Sequence, residues 1–248
     1  MKRLGSIIMT TLLYVGALCA QGVGHVVILG DSNTWIGGDD CMQPRGWNYW
    51  FREEVKPASC RSYARSGATW THTEKTVYDT EGYSEVLSDN NVIYNQVNRL
   101  KKAYEAGEQP LPDLIIIMAG TNDAWFNRGC PSTLHLPPST LTIAGAVHYD
   151  CELLRELFPD CRLVLVTPMQ TTKTSLSKIR KTGDFIEKCG KELGAEVIRL
   201  DRDGCVKRKQ ELKKKTYTTD GVHTNEEGAR CIGTLIADYV TKKVVMGS

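Results

Sequence analysis

A chain of 248 residues with a formal net charge of +2 is long enough to bury the core of one α/β domain. Its 31 basic and 29 acidic residues nearly cancel, which leaves no basic footprint for a nucleic acid. The chain opens with Lys2 and Arg3, an apolar stretch from Ile7 to Leu18, and then Cys19-Ala20-Gln21. That pattern reads as a secretion signal over residues 1–20, and the apolar run is shorter than the roughly 20 residues a spanning helix needs. The expectation is an exported protein, periplasmic or extracellular, with its folded part at 21–248 and no stable membrane span. Cys19 offers a lipid anchor as the alternative, but bulky Leu18 stands where a lipoprotein signal is expected to have a small residue.

The first element of the folded part is Val26-Val27-Ile28-Leu29, stopped by Gly30-Asp31-Ser32-Asn33-Thr34. A continuous apolar run bounded by turn residues predicts a buried parallel strand. Ser32 then sits just past its carboxyl end, where open α/β sheets bind ligands. A serine in that place more often only caps the next helix, so Ser32 needs support from elsewhere in the chain. Trp35 to Gln43 reads as a Gly/Asp-rich loop. Arg45 to Val55 turns helical, with Trp47, Trp50, Phe51 and Val55 on one face as core. Pro57 ends it, and Cys60 to Ala64 is a weaker strand leading to Arg65-Ser66-Gly67-Ala68. A glycine there lets its backbone N–H approach a ligand closely.

Trp70 to Asn90 is polar without a clear period and reads as a surface excursion. Helical spacing returns from Asn91 to Gly107, then Asp113 to Ala119 forms another buried-strand run ending in Gly120-Thr121-Asn122-Asp123. An Asn amide at a strand end can donate to a developing oxyanion. Trp125 to Pro138 is a loop, Thr142 to Phe158 a helix, Arg162 to Thr167 a strand, Ser175 to Leu193 a helix and Glu196 to Leu200 the fifth strand. The basic stretch Asp201 to Thr218 is a loop or irregular helix, read as a solvated face. Asn225 to about Val240 is the last helix, burying Ile232, Leu235, Ile236 and Tyr239.

Just before that helix, Asp220-Gly221-Val222-His223 holds an acid three residues ahead of a histidine. A serine hydroxyl needs a base, and the base needs a partner to fix its tautomer. The bland alternative is a helix start, and Thr224 with Glu227 does form a capping-box pattern. The remaining histidines (His25, His72, His135 and His148) are read as structural or solvated. Strands alternating with helices predict a parallel sheet with helices on both faces.

Cysteines agree with export. Beyond the signal they are Cys41, Cys60, Cys130, Cys151, Cys161, Cys189, Cys205 and Cys231, with no C-x-x-C pair. An even set in an oxidising compartment predicts at least one disulfide, although several can equally be small buried hydrophobes.

Taken together, Gly30-Asp31-Ser32, Gly67, Gly120-Thr121-Asn122-Asp123 and Asp220-x-x-His223 resemble the SGNH (GDSL-type) hydrolase family, in that family's block order. Asn33 departs from the Leu in the GDSL name. The resemblance implies a three-layer α/β/α, flavodoxin-like fold with a five-stranded parallel sheet of order 2-1-3-4-5. It implies an esterase in which Ser32 is the nucleophile, His223 the base and Asp220 its orienting acid. Ser32, Gly67 and Asn122 form the oxyanion hole, and no metal or organic cofactor takes part. The G-x-S-x-G elbow of α/β-hydrolases is absent around Ser32. In the implied strand order the loops holding Cys41 and Cys130 could meet, so a bridge between them is expected.

Trp35, Trp70 and Trp125 each fall three residues after a block residue and are expected at the rim of the site, where they either bind sugar rings or pack the loops. No long apolar lid segment appears. The expected substrate is a small-molecule or carbohydrate ester with a short acyl group, acetyl foremost. The alternatives are a lysophospholipase, lipase or thioesterase of the same family, or a secreted carbohydrate-binding protein without turnover.

Overall fold

A computed structural model describes residues 23–78, 88–126 and 139–246. The expected signal at 1–20 with Cys19, and also Cys130 and His135, lie outside the described residues. The elements in chain order are β1 (His25–Gly30), α1 (Ser32–Trp35), α2 (Trp47–Val55), β2 (Ser59–Ser62), α3 (Ile93–Glu105), β3 (Leu114–Met118) and α4 (Thr121–Phe126). They continue with α5 (Ile143–Leu157), β4 (Arg162–Val166), α6 (Leu176–Glu192), β5 (Glu196–Ile198), α7 (Leu200–Asp203), α8 (Arg208–Lys213) and α9 (Glu226–Met246).

The strands form one sheet of order β2-β1-β3-β4-β5, every pairing parallel. This is the expected α/β architecture and order. The continuous apolar runs are explained by burial on both faces. Val27, Leu29, Ile115 and Ile117 point into a core shared with α3, α5 and α6, whereas Val26, Ile28, Leu114 and Ile116 point into a second core with α2 and α9. Each such side chain contributes about 1.5–3 kcal/mol when fully buried, so a polar residue on either face would be costly. On the second face Trp47 and Phe51 of α2 are fully buried with Ile232 and Ile236 of α9.

Local chemistry sets several helix starts. Thr142 accepts from the Gly145 N–H ahead of α5, and Ser175 from the Lys178 N–H ahead of α6. At α9 the capping-box expectation fails. Asn225 is the cap, its Oδ1 accepting from the Gly228 N–H at 2.9 Å. Thr224 is turned to other work, described below. The basic stretch after β5 folds as α7 and α8 and is organised by buried Glu211, which accepts from the backbone N–H groups of Thr216, Tyr217 and Thr218.

One disulfide is formed among the described residues, Cys205–Cys231, tying the segment after α7 to α9. Cys41 is buried with its Sγ 3.5 Å from Cys60 Sγ. It therefore faces the edge strand β2, and its expected partner Cys130 is not among the described residues. Cys151, Cys161 and Cys189 are buried thiols, the small-hydrophobe alternative.

Candidate active site

The site is built where β1 and β3 end. Gly30 closes β1, and the Gln96 side chain of α3 seals its backbone, accepting from Gly30 N–H at 2.8 Å and donating to Gly30 C=O at 2.9 Å. A Cβ at Gly30 would lie 2.6 Å from the Met118 carbonyl oxygen and from Thr34 Oγ1, so the tight exit of the strand requires glycine. Asp31 then caps α1 by accepting from the Asn33 N–H. Ser32 becomes the first residue of that helix, buried but for a small opening.

The end of the chain meets it. Ser32 Oγ lies 3.0 Å from His223 Nε2, and His223 Nδ1 lies 2.8 Å from Asp220 Oδ2. The other Asp220 oxygen accepts from the Val222 and His223 N–H groups at 2.9 and 2.8 Å. Partial burial pushes the Asp220 carboxyl up, but the backbone and ring hydrogen bonds from His223 and the one from Val222 outweigh it and hold it down to about 2. An ionised Asp220 only accepts, so Nδ1 carries the proton and Nε2 is left to accept from the Ser32 hydroxyl.

The Asp220–His223 loop is pinned at both ends. Gly221, at φ +93°, sends its carbonyl to Thr172 N–H and Thr171 Oγ1. A Cβ there would lie 1.9 Å from Thr172 Oγ1. Beyond His223, the Thr224 N–H donates to Asn33 Oδ1 at 3.1 Å and its Oγ1 to the Arg45 carbonyl at 3.1 Å. Asn33, the departure from Leu, thus joins the helix carrying Ser32 to the loop carrying His223.

The middle blocks are also joined. Gly67 has φ +73°, in the turn after β2. The Asn122 amide donates to the Ala68 carbonyl at 2.9 Å, and the second N–H on that nitrogen is left for another acceptor. Buried Asp123 accepts from the Trp70 and Thr71 N–H groups and from Thr71 Oγ1 at 2.8–3.1 Å. Burial raises its carboxyl, against those three hydrogen bonds. Sequence reasoning did not assign Asp123 or Gln96 a part. A buried acid following Asn122 was the available signal for the first, and nothing in the local sequence marked the second.

The tryptophans separate. Trp35 is half-buried beside Ser32 and lines a cleft of about 640 Å³ with Ile36, Gly38, Asp39, Asp40, Gln43 and Arg45. Trp125 is half-buried and stacked on Phe126, ring centroids 5.1 Å apart. Trp70 is not at the rim. It is fully buried in the core with Tyr63, Ile93 and Val97. Thr69 bridges to Val92 and Asp123 draws in the next two N–H groups, which turns this stretch inward. The stretch from Trp70 therefore begins as interior, not as a surface excursion. His72 is buried against Tyr78 and Tyr94, and that burial holds its imidazole down to about 4 and neutral. Among the described residues no group of three or more His, Cys, Asp or Glu side chains is placed to hold a metal, and no helix is long and apolar enough to cross a membrane.

Comparison with known proteins points one way. The sequence profile of the GDSL-like Lipase/Acylhydrolase family matches residues 28–231. A protein from Lactobacillus plantarum of known structure is similar at 16% identity and TM-score 0.64, covering 89% of this chain and 98% of that one. The lipase/acylhydrolase from Enterococcus faecalis is similar at 16% identity and TM-score 0.57, covering 88% and 98%. The acetyl xylan esterase AlAXEase is similar at 18% identity and TM-score 0.55, covering 88% and 99%. No curated sequence matches. Matched by the profile over most of its length and folded in the expected strand order, the chain belongs to the GDSL-like lipase/acylhydrolase family of ester hydrolases.

Proposed function

We propose that this protein is an exported serine esterase that removes short acyl groups, acetyl foremost, from carbohydrate esters. The observation that carries the proposal is the unbroken hydrogen-bonded line from Ser32 Oγ through His223 to Asp220. In this reading Ser32 Oγ attacks the acyl carbonyl while His223 Nε2 takes its proton. His223 then returns that proton to the leaving alcohol, and ionised Asp220 stabilises the imidazolium between the two events. The Ser32 and Gly67 N–H groups and the free N–H of Asn122 receive the oxyanion. Water, activated by His223, releases the acyl group from Ser32.

The cleft whose wall begins at Trp35, three residues from Ser32, mixes Trp35 and Ile36 with Asp39, Asp40, Gln43 and Arg45, a lining that suits a sugar-bearing ester better than a lipid. A fatty chain laid across those groups would strip water from them without replacing its hydrogen bonds. The acetyl xylan esterase of the same fold is named for a substrate of this kind. Export rests on the sequence of residues 1–20, and the Cys205–Cys231 bridge is of the kind that persists in an oxidising compartment. The test is a panel of esters from acetate to octanoate, on sugar and on aryl alcohols, run with purified mature protein and with Ser32→Ala. The expected result is highest kcat/KM on acetylated sugar and a loss of about 10⁴-fold or more with Ser32→Ala. A steady rise toward octanoate would move the substrate to lipid, and labelling by a serine-reactive probe at Ser32 separates an esterase from a silent carbohydrate binder.

A further inference from the structure

We propose that the cleft formed by residues 35–45 is the subsite for the alcohol half of the ester, and that its occupant is a neutral pyranose ring stacked on Trp35. The inference rests on the esterase reading and adds to it where the sugar lies and what charge it carries.

Position comes first. Trp35 and Ser32 share the four-residue helix α1. Residues three apart on a helix are neighbours on one face. The wall of the cleft therefore begins on the short helix that carries Ser32, one turn from it, although Ser32 itself does not line the cleft. Its volume of about 640 Å³ is that of a small-molecule site and far exceeds an acetyl group, so something larger than the acyl half belongs there.

The lining selects what that is. Trp35 and Ile36 give apolar surface, and Asp39, Asp40, Gln43 and Arg45 give acceptors and donors. The faces of a pyranose are C–H surface and its edge is hydroxyls. An indole covers the first, while carboxylate, amide and guanidinium groups bond the second. Charge is balanced. Asp39 is paired with the buried guanidinium of Arg65 at 2.9 Å, which leaves Asp40 and Arg45 as opposite charges on the lining. Neither a cationic nor an anionic sugar gains from such a cleft, so the geometry favours a neutral one.

The wall is built in advance of any ligand. The Asp39 carbonyl accepts from Ser62 N–H at 2.8 Å, and the Pro44 carbonyl from Trp50 Nε1 at 2.8 Å. The Arg45 carbonyl accepts from Thr224 Oγ1 at 3.1 Å, and Cys41 is wholly buried beneath the loop. Anchors to the edge strand, to α2 and to the His223 loop hold the segment in place, so little ordering entropy opposes binding. Through Thr224 the wall and the base share one support.

The experiment compares two esters with the same acyl group, an acetylated neutral xylo-oligosaccharide and 4-nitrophenyl acetate, with acetylcholine as a cationic alcohol. Taking the ratio of kcat/KM for sugar ester over aryl ester cancels any general damage to α1. Trp35→Ala is expected to lower that ratio by about tenfold or more, the equivalent of one lost contact of about 1.4 kcal/mol. Exposed Asp40→Asn is expected to lower it several-fold. Unchanged ratios in both variants, acetylcholine as the best substrate, or a changed acyl-length preference in Trp35→Ala would each overturn the assignment. The last result would give the cleft to the acyl half. If the wild type cleaved none of the esters, the esterase reading would fall, and calorimetry with the deacetylated oligosaccharide would decide the subsite. Binding weakened by Trp35→Ala would uphold it, and equal or absent binding would reject it.

Discussion

Two aspartates flank the proposed nucleophile and base, and they behave in opposite ways. Asp31, at the β1 exit, is completely buried, and that burial raises its carboxyl to about 6 against the opposing hydrogen bond from the Asn33 N–H. Asp220, in the loop after α8, has its side chain about half exposed and is held down to about 2 by three hydrogen bonds from Val222 and His223. The residue type is the same. What differs is how many donors each carboxylate meets for the water it loses. The exposed acid is thereby kept as an anion beside the imidazole, and the buried one is poised to be neutral in weak acid.

Breaking the Asp220 side of this contrast has the largest expected effect. Asp220→Asn, which removes the acceptor that fixes the His223 tautomer, is expected to lower kcat by about 10⁴-fold, measured on an acetyl ester at constant pH. Ser32→Ala is expected to lose at least as much, leaving only what binding and the oxyanion donors contribute. Asn122→Ala, which removes one donor without touching either aspartate, is expected to cost about 10²–10³ in kcat with less change in KM. A variant that raised KM alone would make Asn122 a binding residue instead.

The Asp31 side is read in stability. Its folded-state value lies above the unfolded value of 3.8, so between about pH 4 and 6 the folded chain holds a proton that the unfolded chain has released. Stability from this group therefore falls as pH rises through that window. Asp31→Asn keeps a good cap and removes the titration. It is expected to flatten the slope, a gain of the order of 2 kcal/mol at pH 7.5 relative to pH 4, measured by denaturant unfolding at the two pH values. Equal slopes in both proteins would show that Asp31 is not the buried acid responsible. Asp220 works with the opposite sign. Its contribution is present above about pH 4 and is lost as pH falls toward 2, and Asp220→Asn should remove that acid-side loss. Away from both aspartates, Cys231→Ser opens a loop of 26 residues. Chain entropy puts that at about 3.5 kcal/mol of stability, and activity per folded molecule should change little.

Much of the fold was legible because its signals are local. Val26–Leu29 and Leu114–Met118 are unbroken apolar runs, and only a strand covered on both faces needs that pattern. Ser32, Gly67, Asn122 and the Asp220–His223 pair could be picked out because each follows a strand end or precedes a helix. The structure brings Ser32, His223 and Asp220 within hydrogen-bonding distance, and Asn122 against Ala68 beside Gly67. Contacts between distant segments were not legible. Gln96 reaches Gly30 across 66 positions, and Asn33 reaches Thr224 across 191.

The sequence by itself determined the class of fold, the strand order through its family blocks, and the candidate residues of the site. Only the tertiary structure decided which tryptophan is buried in the core, which residue caps α9, that Cys41 faces Cys60, and which aspartate keeps its charge in weak acid. Trp70 looks like Trp35 in the sequence, each three residues beyond a block residue. It is driven inward because buried Asp123, 53 positions away, accepts the Trp70 and Thr71 N–H groups and turns the chain toward the core. Thr224 looks like a helix cap, but its N–H and hydroxyl are taken by Asn33 and Arg45, so the cap passes to Asn225. In each case the deciding partner lies far along the chain. A hydrogen bond or a burial cost depends on what is near in space, and local sequence pattern reports only what is near along the backbone.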